Sequence, residues 1–301
     1  MTHLSPRILF LMSLSPLLWA SNAVLGRMLV GTLSPITLNF FRWVVAALVL
    51  LPLGWRILKK HSPLWQQKKR FLLLGLFAVG GYNTLQYLSL QTSTPINVTL
   101  IAASMPIWMI LIGAVFYDTH PQLRQLLGAF ISILGVVVVL SRGDITSLLN
   151  IHLVAGDLFI LFATIIWAFY SWMLTRPGSS TEQTWHWSEF LLGQIVFGLI
   201  SSIAFSGIEV ISGNFQFEFS GWVWIVLLYI AIGPSIIAYR CWGLVVQEAG
   251  PAIASFFSNL TPLFAAVMSA LVLGEMPQLF HALAFCLILI GILVSSKMKF
   301  R

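Results

Sequence analysis

The stretch SNLTPLFAAVMS, residues 258–269, places Pro262 inside a long apolar run that contains no charged residue. An interior proline removes a backbone hydrogen bond and kinks a water-soluble helix at a cost of about 3 kcal/mol. A similar stretch, ASMPIWMILIGA at residues 103–114, carries Pro106. The sequence therefore repeats a helix-disrupting residue in similar apolar surroundings, which points to a common structural purpose.

The composition is that of a chain surrounded by lipid. Apolar types make up 58% of the 301 residues and charged types only 8%, whereas soluble domains carry about 25% charged residues. The two cysteines, Cys241 and Cys286, both lie in apolar stretches. They predict neither a disulfide framework nor metal or redox chemistry, so we expect no cofactor and no bound metal.

Ten apolar segments are each close to the roughly 20 residues that a helix needs to cross a bilayer. They cover residues 8–27, 34–55, 71–91, 95–117, 122–141, 153–174, 185–207, 220–243, 250–273 and 278–296. Lipid cannot satisfy open backbone groups, and no alternating barrel pattern occurs. The sequence predicts an all-α integral membrane protein with ten transmembrane helices. The first segment could pass for a signal peptide, but nine further spans favour an uncleaved helix.

The basic residues predict the orientation of the chain. The connector at residues 56–70 holds six Lys and Arg, and the positive-inside rule places it in the cytoplasm. Both termini then fall on the cytoplasmic side of a bacterial inner membrane. The net charge of +7 is explained by orientation and by contact with lipid headgroups. We therefore expect membrane lipid and a small-molecule substrate as partners, no nucleic acid, and a monomer or weak homo-oligomer.

An internal repeat accounts for the two prolines. A shift of 156 positions (251 − 95 = 156) superposes four pairs, namely Pro95 on Pro251, Pro106 on Pro262, Pro121 on Pro277 and Gly135 on Gly291. The chain is predicted to form two five-helix repeats, residues 7–141 and 153–297. Because five is odd, the second repeat enters the membrane the other way up. Inverted repeats of this kind are common in secondary transporters, with the substrate site near the midplane between them.

Several short motifs, in order and duplicated, carry a resemblance to a known family. They are Trp19-Ala20-Ser21-Asn22, Phe41-Arg42-Trp43, Gly156-Asp157-Leu158, Trp167-Ala168-Phe169-Tyr170 and Gly274-Glu275-Met276-Pro277. The chain resembles the EamA family of the drug/metabolite transporter superfamily over nearly its whole length. Asp118-Thr119-His120-Pro121 departs from the Gly-Glu pattern common in that family. The resemblance implies transport of small metabolites, including amino acids, by exporters and some importers.

Polar and aromatic residues within the spans are the candidates for substrate binding, since ligand pockets are mostly apolar with a few placed polar groups. The candidates are Trp19, Asn22, Arg42, Tyr82, Asn83, Gln86, Trp167, Tyr170, Tyr239 and Trp242. Arg42 must face the interior, because an isolated charge in lipid costs at least about 2.5 kcal/mol. It is either a structural clamp that meets a carbonyl or carboxylate, or a contact for an anionic substrate group. Tryptophans closer to helix ends are expected to anchor the membrane interface, namely Trp43, Trp55, Trp65, Trp222 and Trp224.

Two further groups of residues are candidates for conformational change and coupling. Pro106 and Pro262 fall near the middle of their spans and are predicted hinges, with close packing as the alternative. Asp157, Glu189 and Glu275 are candidates for proton coupling. Helix capping for the first two and a turn or gate rim for the third are the simpler interpretations.

These features favour a secondary transporter that exports amino acids or aromatic and other organic compounds by alternating access. An importer of the same fold is the main alternative. A channel would need a continuous polar stripe, and a membrane enzyme would need converging catalytic groups. The sequence shows neither pattern, so we predict that the protein is not an enzyme.

Overall fold

The structure is a computed structural model, and it describes residues 6–141, 143–144, 154–218 and 220–295. The α-helices of the first half are α1 (Pro6–Met28), α2 (Pro35–Gly54), α3 (Lys68–Gly75), α4 (Tyr82–Thr92), α5 (Pro95–Ala102), α6 (Met105–Phe116) and α7 (Leu123–Leu140). Those of the second half are α8 (Ala155–Met173), α9 (Trp187–Ile211), α10 (Gly221–Ile230), α11 (Ala238–Ala249), α12 (Pro251–Ser258), α13 (Thr261–Val272) and α14 (Leu279–Ser295). The described residues contain no strand beyond one isolated antiparallel bridge between Leu33 and Phe217.

Eight helical runs in the described part of the chain are long and apolar enough to cross a membrane. They cover Pro6–Met28, Pro35–Leu58, Pro63–Thr92, Pro95–Phe116, Ala155–Met173, Trp187–Ile211, Gly221–Ala249 and Pro251–Val272. Two further apolar helices, over Leu123–Gly135 and Leu279–Ser295, are shorter. The protein is therefore an all-helical, multi-pass membrane protein. Both chain ends, which include the basic tail, lie outside the described residues.

Two predicted spans are shorter than the helices that contain them. The third begins at Pro63 instead of residue 71, and the eighth continues to Ala249 instead of residue 243. The third begins in a 3-10 turn over Pro63–Gln67, where the Ser62 hydroxyl accepts from the Leu64 amide at 3.2 Å. Both helices continue past the apolar stretch into polar residues. A search for apolar segments therefore underestimates their length.

Two spans contain a π-helical turn, over Leu76–Gly81 and Ala231–Ile237. A π-turn widens the helix and frees backbone carbonyls from the regular ladder. The carbonyl of Ala78 accepts from the Tyr239 hydroxyl at 2.7 Å, and that of Ile230 accepts from Ser235 Oγ at 2.8 Å. Side chains thus replace the missing backbone donors, and the two turns lie where the site described below is built.

Two spans predicted as single kinked helices are instead broken into two helices each. Residues 95–117 form α5 and α6, and residues 250–273 form α12 and α13. Pro106 and Pro262 are each the second residue of the later helix. At that position a backbone N–H has no partner within the helix, which explains why both prolines are tolerated. The breaks adjoin, because Ser258 Oγ lies 3.7 Å from Met105 Sδ.

The connectors contact one another in two groups. In the first group, Arg70 in the first turn of α3 forms an ion pair at 2.8 Å with Glu182 before α9. In the second, the Ser34 amide donates to the Gln216 carbonyl at 3.0 Å, after α9. Helices α2 and α9 each run from one group to the other and pack together. The two groups therefore mark opposite ends of the helical bundle.

Small residues allow a close helix crossing between α7 and α14. A methyl group added at Gly128 would collide with the carbonyl of Gly291, and one at Gly291 would collide with the Gly128 carbonyl and Ser132. Close approach of this kind is typical of membrane helices with small residues at the crossing.

Candidate functional site

Arg42 on α2 is fully buried and lies at the centre of a network of polar side chains. Its Nε donates to Ser235 Oγ at 2.5 Å, and its Nη1 donates to Asn83 Oδ1 at 2.7 Å, Tyr87 OH at 2.9 Å and Asn22 Oδ1 at 3.4 Å. The prediction that Arg42 is buried is confirmed. The guanidinium meets the side-chain carbonyl oxygens of Asn22 and Asn83 together with two hydroxyl groups, so the expected carbonyl contact is confirmed, and no carboxylate of the described residues bonds it.

The network extends to the helices on either side of Arg42. Asn22 Nδ2 donates to Gln86 Oε1 at 3.1 Å, and Asn83 Nδ2 donates to Tyr239 OH at 2.8 Å. Four polar candidates, Asn22, Arg42, Asn83 and Gln86, therefore meet inside the bundle. The network ties α1, α2 and α4 to α11, so it fixes the packing of both halves around one point.

Trp43, next to Arg42, is not an interface anchor. Its side chain is fully buried, and its ring lies 5.1 Å from the Arg42 guanidinium carbon and 5.1 Å from the Tyr239 ring. Trp43 points into the protein because α2 packs on both α9 and the second π-turn. The other four predicted anchors are exposed by 41–50%, as an interface position requires.

Trp167, which is 1% exposed, and the five aromatic side chains around it form a cluster of six. The Trp167 ring centroid lies 5.3 Å from that of Trp19, 4.8 Å from Tyr82, 4.9 Å from Tyr170, 5.3 Å from Tyr239 and 5.7 Å from Trp242. We call these six residues the aromatic cluster. Rings at these distances attract one another beyond the burial of their surface, so the cluster holds α1, α4, α8 and α11 together.

A cavity of about 720 Å³ adjoins the aromatic cluster on one side. It is lined by the end of α8, the connector to α9, the start of α9 and α11, and Tyr170 and Tyr239 are shared between cavity and cluster. Trp19 and Trp167 do not line it. The cavity therefore leads from the end of the bundle that carries the Arg70–Glu182 ion pair to the aromatic cluster.

The structure divides the ten predicted binding residues among three neighbouring places. Tyr170 and Tyr239 line the cavity, and the other aromatic candidates, Trp19, Tyr82, Trp167 and Trp242, lie in the cluster behind it. The four polar candidates lie in the Arg42 network. Tyr239 joins all three places, since its hydroxyl bonds Asn83 and its ring touches Trp167. Substrate contact by these ten residues stays a prediction.

Sequence reasoning missed several residues of the site. Gln194 lines the cavity, and its Oε1 accepts from Tyr170 OH at 3.1 Å. Arg240 also lines the cavity, although it was not among the predicted binding residues. The signal was present, because Arg240 is an isolated charge within the apolar run IIAYRCWGL, as Arg42 is within its own.

Asp157 and Glu189 have the geometry of helix caps. Each is the third residue of its helix and accepts from the backbone N–H that precedes the helix, at 3.3 Å from Val154 to Asp157 and 3.0 Å from His186 to Glu189. A carboxylate at a helix N-terminus also favours the helix dipole. This geometry supports the capping interpretation, and neither residue lines the cavity. Proton coupling by either residue stays a prediction.

Glu275 and Glu209 lie at the opposite end of the bundle. Glu275 lies 3.9 Å from Arg27, with both side chains about 30% exposed, at 27% and 31%. Glu209 is 5% exposed and accepts from the Thr37 amide at 2.9 Å and the Thr37 and Ser34 hydroxyls at 2.6 and 2.8 Å. Glu209 thus caps α2 from α9. Sequence reasoning missed it because the predicted seventh segment ended at residue 207.

The fold and the site define a class: a multi-pass, all-helical membrane protein with a cavity near one end of the bundle that adjoins a buried aromatic cluster. The model of the EamA-like transporter family matches residues 6–141 and 154–297. The chain belongs to the EamA-like transporter family, as the sequence motifs predicted.

Relatives of known name agree with this assignment. The uncharacterized transporter YyaM of Bacillus subtilis is 26% identical, with 90% of this chain and 88% of that protein aligned. An uncharacterized transporter of Archaeoglobus fulgidus is 25% identical over 95% of this chain and 96% of its own. One solved crystal structure, 18% identical, aligns over 96% of both chains with a TM-score of 0.66, which concerns the fold alone.

Proposed function

We propose that the protein is a secondary transporter that exports small metabolites, amino acids or aromatic and other organic compounds, by alternating access. The observation that carries this proposal is the one-sided cavity. Its volume of about 720 Å³ suits a small organic solute, and Tyr170 and Tyr239 stand at its inner limit. A solute that enters here reaches the aromatic cluster, and only a rearrangement of the helices opens its way to the other side.

An inverted repeat of two five-helix halves, residues 7–141 and 153–297, supports this mechanism. The helix breaks at residues 103–104 and 259–260 differ by 156 positions (259 − 103 = 156). The two π-turns end at Gly81 and Ile237, again 156 positions apart. Irregular backbone is tolerated at membrane depth where it is buried in protein or lines a cavity, and paired broken helices are typical of secondary transporters.

In this proposal the two broken spans provide the joints. Pro106 and Pro262 cannot donate to the carbonyls four residues before them, so each break is held by fewer backbone bonds than a continuous helix. The breaks adjoin at Ser258 and Met105, which lets movement at one break reach the other. One half then rocks against the other about the Arg42 network.

The positive-inside rule supplies the orientation. The end with the Arg70–Glu182 ion pair carries the basic connector at residues 56–70, so the cavity is open to the cytoplasm and both termini are cytoplasmic. We assign the protein to a bacterial inner membrane, with lipid and the solute as partners, as a monomer or weak homo-oligomer. A cytoplasm-facing cavity suits a solute collected inside the cell.

The relatives are named transporters, which points away from an enzyme. An importer of the same fold is the second candidate, and a channel the third. The aromatic cluster argues against a channel, since its side chains occupy the space between the cavity and the opposite end.

A resistance screen tests the proposal. Cells that overproduce the protein are grown against a panel of amino acids, amino-acid analogues and aromatic compounds at inhibitory concentrations. An exporter raises tolerance to its own substrate and lowers the amount retained in the cell. Lower tolerance with greater retention identifies an importer, and unchanged tolerance with unchanged flux across the panel counts against the proposed function.

A further inference from the structure

We infer that Arg240 binds the anionic group of the transported solute, so that the substrate class is small organic anions with an aromatic or apolar body. This inference rests on the proposed function and narrows it. It also separates the roles of the two arginines near the site. Arg42 is the clamp, and Arg240 is the cation that the cavity presents to a ligand.

No carboxylate in the described part of the protein pairs with the charge of Arg240. Arg240 lines the cavity and is half-buried, and among the described residues it forms neither a hydrogen bond nor an ion pair. Its guanidinium carbon lies 5.5 Å from the centroid of the Trp187 ring, which fixes the side chain by a cation–π contact and leaves its N–H donors free. An arginine held in this way presents a planar fork to a carboxylate or phosphate.

Arg42, by contrast, has four side-chain hydrogen bonds and no place in the cavity lining. Its Nη2 has no hydrogen-bond partner among the described residues, but the side chain is fully buried, so a solute in the cavity does not contact it. The two arginines therefore differ in availability, although the sequence presents both as isolated charges in apolar runs.

Glu182, the acidic residue that lines the cavity, does not neutralise the charge of Arg240. Its carboxylate is bound by the Arg70 guanidinium at 2.8 and 2.9 Å and by the Gly178 amide at 2.7 Å. An ion pair with both oxygens occupied leaves little attraction for a cationic ligand. The unpaired charge of the cavity is positive, and it selects for anions.

The other residues that line the cavity indicate the chemistry of the uncharged part of the ligand. Tyr170, Trp187, Phe190 and Tyr239 supply aromatic faces, and Gln194 and Gln247 supply amide groups. An aromatic or apolar body of modest size fits these faces. The ammonium group of an amino acid finds no unpaired carboxylate among the described lining residues. A simple monoanion should therefore bind more tightly than the zwitterion of the same body.

The test uses four probes with one ring and different charges: phenylacetate, phenylacetamide, phenethylamine and phenylalanine. Binding to the full chain in lipid nanodiscs is measured by calorimetry for wild type, Arg240→Gln, Arg240→Lys and Arg176→Gln. Arg176 is the matched control, because it is exposed, stacks on Tyr117 in the same connector group and does not line the cavity. Its loss changes net charge on the same side by the same amount.

We expect wild type and Arg176→Gln to bind phenylacetate at least about tenfold more tightly than phenylacetamide or phenethylamine, as a charge-assisted hydrogen bond implies. Arg240→Gln should abolish this preference, and Arg240→Lys should retain part of it. If wild type binds phenylacetate no better than phenylacetamide, or not at all, the inference is overturned even if Arg240→Gln fails to fold. A preference that survives in Arg240→Gln also overturns it.

Flux through proteoliposomes separates this inference from the proposed function. If phenethylamine or phenylalanine is transported in preference to phenylacetate, the protein is a transporter but its substrates are not selected as anions. Anion-selective binding that depends on Arg240, with no flux of any probe that binds, keeps the site and counts against transport.

Discussion

Asn83 and Tyr239, which are 156 residues apart (239 − 83 = 156), are joined by a hydrogen bond of 2.8 Å from Asn83 Nδ2 to the Tyr239 hydroxyl. The same interval relates the paired prolines and the paired helix breaks. Two residues that are equivalent in a two-fold repeat touch each other only where the axis passes between them. This contact therefore locates the proposed axis beside the Arg42 network, next to the inner limit of the cavity.

Arg42→Leu should destabilise the protein strongly. The change leaves the buried oxygens of Asn22 and Asn83 without their cationic donor, and each lost bond to a charged group is worth about 1.5–3 kcal/mol. We expect at least about 3 kcal/mol lower stability, seen as a large fall in the melting temperature of detergent-purified protein. Arg56→Gln, at an exposed position, serves as the control. A melting temperature equal to that of the control would contradict the role of Arg42 as a structural clamp.

Pro262→Ala should leave insertion intact but slow transport. Alanine supplies an N–H that can bond the Ser258 carbonyl across the break, so the span becomes straighter, and stability rises by up to about 1 kcal/mol. Initial rates of solute uptake into inside-out vesicles measure the effect, because an exporter moves its solute into the lumen of such vesicles. The matched control is Pro251→Ala, at the first position of α12, where no helical partner for the N–H exists. Uptake at the wild-type rate in Pro262→Ala would show that this proline serves packing and not bending.

Trp19→Ala should weaken solute binding by about 1–3 kcal/mol if the aromatic cluster contacts the solute. Trp19 is only partly buried, so its truncation perturbs the fold less than that of Trp167. Truncating Trp167, at 1% exposure, would cost about 3–5 kcal/mol of stability, and Trp167→Phe is the better variant there. Calorimetry with an identified solute decides. Unchanged affinity in both variants would assign the two rings to packing alone.

Glu209→Ala should lower stability without changing solute affinity. Its carboxylate caps the N-terminus of α2 through the Ile36 and Thr37 amides at 3.3 and 2.9 Å, and loss of a cap costs about 1–2 kcal/mol. Thermal unfolding and binding are measured on the same preparation. A weaker affinity with unchanged melting temperature would contradict the capping role and bring Glu209 into the transport mechanism.

Much of the fold could be predicted from hydropathy and from the repeat. Particular residues show which features could not be predicted in this way. The proline interval located both helix breaks, because a missing N–H is a local property of the chain. The π-turns at Leu76–Gly81 and Ala231–Ile237 were not foreseen. They depend on donors from distant helices, such as the Tyr239 hydroxyl, which no local pattern encodes.

The site was only partly predictable for a similar reason. A buried charge such as Arg42 must face the protein interior, but its partners Tyr87 and Ser235 look like ordinary residues of apolar helices. The distinction between Arg42 and Arg240 required three-dimensional contacts. Arg42 is fully buried and bonded to four side chains of other helical elements. Arg240 lines the cavity and stacks on Trp187, the first residue of α9.

The central claim is that the cavity opens to one side of the membrane only, and Gly243 offers a direct test. Gly243 lines the cavity, and a side chain added there meets no atom within 4 Å. Gly243→Cys is placed in a Cys241→Ser, Cys286→Ser background, and Asn214→Cys, exposed at the opposite end, is the control. A membrane-impermeant thiol reagent is applied to whole cells with a permeable outer envelope and to inside-out vesicles.

The account predicts rapid labelling of Gly243→Cys in inside-out vesicles and slow labelling in whole cells, with the reverse for Asn214→Cys. Labelling of Gly243→Cys at equal rates from both faces would indicate a continuous channel, and labelling from the outer face alone would contradict the orientation.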